Sequence, residues 1–168
     1  VVASAGVMNP QIRFGEDLMS RVSYVMMNPG GDRELTSTVR EALDGLVGAV
    51  TAEAGIARGD VVEMTVVGNP IMHHLFLGLD PVELGGAPFA LTVDAAYEAP
   101  ARELGLRIAP GAWVYALPCI AGHVGADTAG VVLSEGPYLK DELTLLVDVG
   151  TNAEIVLGNR SRMLACSS

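Results

Sequence analysis

Basic residues are scarce in this chain. Its 168 residues include 10 Lys and Arg against 20 Asp and Glu, which gives a formal net charge of −10. An acidic surface of this kind repels nucleic acid and anionic membranes, so neither is expected as a general partner. A nucleotide is not excluded by the charge, because backbone N–H groups and Mg²⁺ can hold its phosphates.

Cysteine is equally rare, and long hydrophobic runs are missing. The two cysteines, Cys119 and Cys166, lie far apart and form no CxxC pair. They give no support to a disulfide framework or a cysteine-bound iron–sulfur cluster, and they favour a reducing, cytoplasmic location. No apolar run reaches the length of a membrane span. Half of the residues are hydrophobic and 18% are charged, which is typical of an α/β domain with a well-buried core.

The hydrophobic periodicity alternates between helical and extended segments. Helices are predicted over residues 15–27, 36–54, 71–77, 101–106 and 126–134, and Thr38 with Glu41 is a candidate capping box for the second of these. Strands are predicted over residues 1–8, 61–67, 113–117, and from Leu143 onward as a hairpin followed by 163–166. Residues 80–100 are predicted to be mostly irregular. Strands separated by helices predict a mainly parallel sheet.

One hairpin carries the clearest chemical signal. An apolar run over residues 145–147 ends at Asp148, a Gly150-Thr151-Asn152 turn follows, and a second apolar strand leaves at Ile155. Gly and Asn tolerate positive φ, so a tight turn is expected. Its backbone N–H groups, hydroxyl and amide suit phosphate oxygens, and the carboxylate suits Mg²⁺ held through water. An ordinary hairpin with a polar turn explains the pattern equally well.

Four segments together resemble a known family. Residues 148–156, Asp-Val-Gly-Thr-Asn-Ala-Glu-Ile-Val, resemble a phosphate-binding hairpin of the actin, DnaK-type chaperone and sugar kinase superfamily. Residues 9–21, 66–75 and 117–127 precede it in an order similar to that of the ATP-dependent reductive activators of corrinoid methyltransferase proteins. The four segments span nearly the whole chain, which makes the resemblance specific.

The resemblance implies an α/β fold built from RNase-H-like lobes. Residues 1–141 are expected to form most of a first lobe that lacks its opening hairpin, and residues 142–168 the opening strands of a second, similar lobe. The chain opens within a predicted strand and stops at Ser168 just after another. We therefore expect it to be a piece of a longer protein.

The activity implied by the resemblance is the return of Co(II) corrinoid proteins to Co(I) for methyl transfer. ATP and Mg²⁺ are the implied cofactors of the intact protein, with a [2Fe–2S] cluster in a domain absent from this chain. The implied partner is a corrinoid protein or methyltransferase, and a homodimer is left open. The piece alone is expected to be inactive. Two alternatives are a non-hydrolysing actin-like docking module for a methyltransferase and a small-molecule kinase of the same superfamily.

The resemblance also assigns site residues. Asp148 and Asp127 are the catalytic candidates, for Mg²⁺ and water, and Asp148 is the metal candidate. Gly150, Thr151 and Asn152 are the nucleotide-contacting candidates. Asn69 is added to them because it follows a predicted strand, as a topological switch-point residue does. Helix capping explains Asp127 equally well, and a turn role explains Asn69 equally well. Asn152-Ala153 stands where chaperones and kinases often have Thr or Gly, which puts catalytic competence in doubt.

The histidines do not have metal-site spacing. His73, His74 and His123, even with Cys119 nearby in sequence, lack the usual His-x₃-His pattern, and adjacent residues of a helix point to different sides. Packed or surface imidazoles are predicted instead.

The segment before and within the first helix contains two arginines and several methionines. Arg13 and Arg21 are predicted to contact a partner or to pair with local carboxylates such as Glu16 and Asp17. The methionines are predicted to fill the core rather than line a partner groove. They are Met19, Met26, Met27 and Met72.

Overall fold

A computed structural model describes residues 1–150 and 152–167. Its helices are α1 Leu18–Met27, α2 Gly31–Ala54, α3 Pro70–Leu77 and α4 Ala126–Glu135. Its strands are β1 Glu63–Val66, β2 Tyr97–Pro100, β3 Trp113–Ala116, β4 Thr144–Val149, β5 Ala153–Gly158 and β6 Met163–Ser167. Short 3-10 turns lie at Pro10–Phe14, Arg58–Asp60, Val82–Gly85, Ala101–Leu104 and Pro137–Leu139. Among the described helices, none is long and apolar enough to cross a membrane.

The strands form two small sheets. The first has the order β1-β3-β2, with β1 parallel and β2 antiparallel to β3. The second has the order β4-β5-β6 and is antiparallel throughout. The predicted α/β class is confirmed, but the prediction of a mainly parallel sheet is wrong, since within the described residues only β1 and β3 pair in parallel. Short connections after β4 and β5 permit only antiparallel neighbours.

The main core lies between the first sheet and helices α2 and α3. Val39 of α2 and Phe76 of α3 pack with Val114 and Ala116 of β3, all of them buried. The two helices are also joined by hydrogen bonds, since the Thr36 hydroxyl donates to the Leu75 carbonyl at 2.7 Å. The prediction that the second helix packs on one face of this sheet is confirmed.

Two predictions for the first part of the chain are wrong, namely where the second helix starts and the strand at residues 1–8. Helix α2 begins at Gly31, directly after Gly30 in the left-handed region, and its first turn carries Asp32 and Glu34. Acidic residues in a first turn interact favourably with the helix dipole. Thr38 therefore lies inside the helix, where its hydroxyl donates to the Glu34 carbonyl at 2.7 Å, and it caps nothing. Residues 1–8 pair with neither sheet, so the predicted edge strand is also wrong.

A second core holds the start of the chain against α2. Val22, Leu35 and Leu75 are buried in it. The Gln11 side chain is also fully buried and donates to the Leu35 carbonyl at 2.9 Å. This contact anchors the 3-10 turn that precedes α1 and so fixes where α1 begins.

The methionine prediction is wrong for α1. Met19, Met26 and Met27 are exposed, because the helix turns Val22 inward instead. Met72 alone of the four packs against the main core. Arg13 pairs with none of the predicted carboxylates. Its guanidinium donates to the Thr38 hydroxyl at 3.1 Å and lies over the Phe14 ring.

Candidate functional site

The turn after β1 and the start of α4 approach each other closely. The Ala126 N–H donates to the Gly68 carbonyl at 2.9 Å. Gly125 stands between them, and a Cβ atom there would lie 2.6 Å from the Gly68 oxygen and 2.6 Å from Asn69 Cα. No side chain fits at that separation. Glycine at position 125 therefore allows Asn69 and Asp127 to share one site.

These residues line a cleft of about 260 Å³ that also reaches the hairpin. Its walls are Glu16, Asp17, Leu18, Arg21, Asn69, Asp127, Asp148, Gly150, Asn152 and Glu154. Five of the six residues predicted from the sequence thus meet in one place. The sixth, Thr151, lies outside the described residues. A larger groove of about 440 Å³ beside α2 contains none of the predicted residues.

Asp127 is the second residue of α4, whose N-cap is Gly125. The expectation that Asp127 is itself the N-cap is wrong, although its Oδ1 accepts a local hydrogen bond from the Thr128 N–H at 2.8 Å. Burial raises the pKa of Asp127, the Thr128 N–H opposes the shift, and the negative charge of Asp148 adds to it. Two carboxylates that repel each other in one cleft favour a cation near both.

The hairpin is as tight as its sequence predicts. Asp148 of β4 stands opposite Glu154 of β5, and the Gly150 N–H donates to the Asn152 carbonyl at 2.8 Å. The register places two carboxylates side by side at the hairpin end, an arrangement that is unfavourable without a cation. Both residues line the cleft.

Asn69 has a structural task in addition to its place in the cleft. Its Oδ1 accepts a hydrogen bond from the Met72 N–H at 2.9 Å and so caps α3. The turn role predicted from the sequence is confirmed. Among the described residues its side-chain NH₂ has no partner, and it is available to a ligand.

Arg21 is one of the cleft residues that were not predicted as site residues. It is 7% exposed, and its Nε donates to the Gly15 carbonyl at 3.1 Å. The described residues show no ion pair between Arg21 and Glu16 or Asp17; Asp17 instead caps α1 by accepting from the Ser20 N–H at 2.7 Å. The sequence does contain a signal, because Arg21 follows Leu18 by three residues and so interrupts the apolar stripe of α1.

The histidines of α3 are packed rather than arranged around a metal. Both are buried, and His74 uses both ring nitrogens: Nδ1 lies 2.8 Å from the Pro70 carbonyl, and Nε2 accepts from the Thr92 N–H at 3.0 Å. Because Nε2 accepts, the proton is assigned to Nδ1. Burial lowers the pKa of His73 and His74, which keeps both rings neutral.

His123 packs edge-on against the Phe89 ring. Burial raises the pKa of the Cys119 thiol to about 11, so the thiolate that a metal requires is disfavoured. Within the described ranges no three His, Cys, Asp or Glu side chains are grouped so that they could hold a metal ion directly.

Comparisons with known proteins give the family. Residues 1–139 match the model of the RACo middle region, and residues 142–168 match the C-terminal domain of RACo, the ASKHA domain. The corrinoid activation enzyme RamQ of Eubacterium limosum is 34% identical over 162 residues, which cover 96% of this chain. A solved structure of a reductive activator for corrinoid, iron-sulfur protein superposes with a TM-score of 0.93 at 35% identity over 97% of this chain.

The chain is much shorter than either relative. It spans 27% of the length of RamQ and 26% of the solved activator chain. The matches nevertheless cover nearly all of its own residues, in both sequence and structure. The chain therefore belongs to the RACo family of corrinoid activators.

Proposed function

We propose that the cleft is part of a nucleotide site in an ATP-dependent reductive activator, which returns Co(II) corrinoid proteins to Co(I) for methyl transfer. The observation that carries the proposal is the meeting of the Asp148 hairpin with Asn69 and Asp127 in one cleft. These residues come from three separate segments of the chain. The printed names of the two relatives, a corrinoid activation enzyme and a reductive activator for corrinoid, iron-sulfur protein, support the reaction class.

The donor set of the cleft suits a nucleotide held with Mg²⁺. Gly150, Thr151 and Asn152 contact phosphate oxygens in this proposal, through backbone N–H groups and short polar side chains. Asp148 and Asp127 would hold Mg²⁺, through water rather than directly, since the described carboxylates are not grouped for direct coordination. Bound Mg²⁺ neutralises phosphate charge. The raised pKa of Asp127 supports this assignment, because a nearby cation offsets both its burial and its repulsion by Asp148.

The rest of the machinery lies outside the cleft. We infer that residues 1–141 are a first lobe without its opening hairpin and that residues 142–168 are the opening strands of a second lobe. The reducing equivalent comes from a [2Fe–2S] domain elsewhere in the protein, and the acceptor is a corrinoid protein or methyltransferase in the cytoplasm. ATP binding or hydrolysis would drive the unfavourable reduction through movement of the lobes.

The test is nucleotide binding and corrinoid reduction by the full-length protein. MgATP affinity is measured by calorimetry, and reduction of Co(II) is followed by absorbance with ATP present and absent. Asp148→Ala is expected to weaken MgATP binding by about tenfold or more and to abolish ATP-dependent reduction. Glu142→Ala, an exposed carboxylate outside the cleft, serves as the control.

Three results would argue against the proposal or for one of its alternatives. MgATP binding that is unchanged in Asp148→Ala contradicts the site. ATP turnover that ignores the corrinoid partner but responds to a small-molecule acceptor indicates a kinase instead. Binding without any turnover indicates the docking module.

A further inference from the structure

Among the residues that the structure describes, no carboxylate lies within ion-pair distance of the buried Arg21 guanidinium. It is 7% exposed, and its hydrogen bonds go from Nε to the Gly15 carbonyl at 3.1 Å and from Nη1 to the Met72 sulfur at 3.3 Å. A thioether is a weak acceptor, and a buried charge is destabilising unless it is well paired. Burial accordingly lowers the pKa of Arg21, with the charge of Asp17 opposing the shift. In the part of the chain that the structure describes, Nη2 has no hydrogen-bond partner.

The position of this guanidinium is fixed by the fold. A Cβ atom at Gly15 would lie 2.7 Å from Ser20 Cβ and 2.8 Å from the Arg21 nitrogen, so the segment before α1 packs directly on the first turn of that helix. Asp17 caps the same turn through the Ser20 N–H. The side chain is thus held in the cleft wall before any ligand arrives, which limits the entropy lost on binding.

The surroundings of Arg21 select what it can bind. It is the single cation among the described residues of the cleft, which also carries the five carboxylates Glu16, Asp17, Asp127, Asp148 and Glu154. A free anion is repelled by this wall. An anion that arrives with a divalent cation is not, because the cation faces the carboxylates and the anion is left for the guanidinium. Arginine recognises phosphate with its planar fork of donors.

We propose that Arg21 binds the polyphosphate of the nucleotide from the α1 wall of the cleft, exchanging its bond to the Met72 sulfur for bonds to phosphate oxygens. This role rests on the proposed nucleotide site and adds to it a residue outside the hairpin. It predicts that Arg21 discriminates ligands by their phosphates and ignores the nucleoside.

The experiment compares ligands of decreasing phosphate content on the full-length protein. MgATP, MgADP and adenosine are titrated by calorimetry into the wild type, Arg21→Gln, Arg21→Lys and the control Arg33→Gln, an exposed arginine of α2 outside the cleft. Arg21→Gln is expected to weaken MgATP and MgADP binding by about tenfold or more, as for a lost charge-assisted bond. Adenosine affinity should stay within about twofold, and Arg33→Gln should change nothing.

Arg21→Lys keeps the charge and loses the fork, so an intermediate loss of MgATP affinity is expected. If Arg21→Gln does not fold, as judged by its thermal transition, this variant decides the matter. A loss for MgATP that exceeds the loss for adenosine supports the proposal. Equal losses for both ligands show a purely structural role and overturn it.

Failure of Arg21 and failure of the nucleotide site give different results. If Arg21→Gln binds MgATP like the wild type while Asp148→Ala does not, the Arg21 proposal is refuted and the nucleotide site stands. If the wild type does not bind MgATP, the nucleotide site is refuted, and magnesium tripolyphosphate is titrated instead. If the wild type binds magnesium tripolyphosphate and Arg21→Gln does not, Arg21 is still an anion-binding residue. If the wild type does not bind magnesium tripolyphosphate, the Arg21 proposal is refuted.

Discussion

Replacing Gly125 by Ala tests whether close packing builds the cleft. The backbone at this position, φ −84° and ψ −176°, suits any residue, so the substitution introduces no backbone strain. The added Cβ atom would, however, lie 2.6 Å from the Gly68 oxygen, 2.6 Å from Asn69 Cα and 2.5 Å from Asp127 Oδ1. Two of these three neighbours are backbone atoms that cannot rotate away.

The magnitude follows from the distance that must be recovered. Optimal contacts between heavy atoms lie near 3.5–4.0 Å, so α4 must move from the β1 turn by roughly 1 Å. Overpacking of this kind destabilises by about 1–3 kcal/mol. This movement would also lengthen the hydrogen bond from the Ala126 N–H to the Gly68 carbonyl, which is 2.9 Å in the wild type, and would separate Asp127 from Asn69. A misplacement of about 1 Å in a preorganised site is expected to weaken MgATP binding by about tenfold.

Gly130→Ala is the matched control on the same helix. Its added Cβ atom would lie 3.4 Å from Val67 Cγ1, an ordinary contact, and alanine stabilises a helix interior by roughly 0.5–1 kcal/mol over glycine. Hydrogen exchange of the α4 amides and MgATP calorimetry on the full-length protein measure both effects. The reasoning is refuted if Gly125→Ala shows the wild-type hydrogen-exchange protection of α4 and the wild-type MgATP affinity. It is also refuted if Gly125→Ala and Gly130→Ala lose protection and affinity to the same extent.

Three further predictions concern stability, metal and nucleotide. The buried Asp44 carboxylate accepts hydrogen bonds from Arg58 at 2.9 Å and from the Arg107 N–H at 2.8 Å. Asp44→Ala should therefore lower the free energy of unfolding in urea by about 2–4 kcal/mol. Glu53→Ala, at an exposed position, is the control and should lower it by no more than about 0.5 kcal/mol. Burial raises the pKa of Asp44, but the bonds from Arg107 and Arg58 outweigh it and lower the pKa overall. The ionised Asp44 carboxylate therefore stabilises the fold above its unfolded pKa of about 3.9, and this stabilisation is lost as the pH falls through the folded pKa. In Asp44→Asn, which has no carboxylate at this position, the free energy of unfolding should lack this loss at acidic pH. The purified 168-residue chain should hold no stoichiometric zinc or iron at its histidines, and metal that is lost from this chain on His73→Ala contradicts the prediction. The 168-residue chain alone should bind MgATP weakly or not at all by calorimetry, and micromolar binding contradicts that prediction.

Local patterns were sufficient for the elements whose residues decide their own structure. Strands β1 and β3, helix α3 and the β4–β5 hairpin lie within two residues of their predicted places, because alternation, a proline at the first helical turn and a Gly-Asn turn are local signals. Strand β2 was missed, since Tyr97–Pro100 follows a proline-rich stretch and gains its strand structure only from pairing with β3. Tertiary pairing of this kind overrides propensity.

Glycine gave an ambiguous signal at the start of α2. Gly30 lies between the end of α1 at Met27 and the start of α2 at Gly31. Gly30, with φ 87°, is also the N-cap of the next helix, which begins at once. The same residue type ends one helix and starts another, so composition alone does not locate the boundary.

Within the cleft, the predictable residues were those in recognisable turns. The hairpin, Asn69 and Asp127 each sit at a strand end or a helix start, where the sequence marks a change of direction. Arg21 is the fourth residue of α1 and follows no turn signal, and its significance depends on its burial and on Met72, which is 51 residues away. The outward turn of Met26 and Met27 was missed for the same reason, because a helical stripe does not reveal which neighbours cover it.

The residues that line the cleft stand on elements that are packed to different extents. Arg21, Asn69 and Asp127 stand on elements packed against buried cores, whereas Asp148 stands on a sheet with one uncovered face. Leu145 and Val147 are 60% and 52% exposed on that sheet, while Val156 is buried. A ligand that contacts both the hairpin and the opposite side of the cleft stabilises the hairpin by a free energy that rises with the logarithm of the ligand's affinity. By the same linkage, any group that packs on the uncovered face of this sheet raises the affinity of the cleft for that ligand. If the cleft binds nucleotide as proposed, nucleotide affinity and burial of this sheet are therefore expected to form one coupled equilibrium, with the hairpin as the shared element.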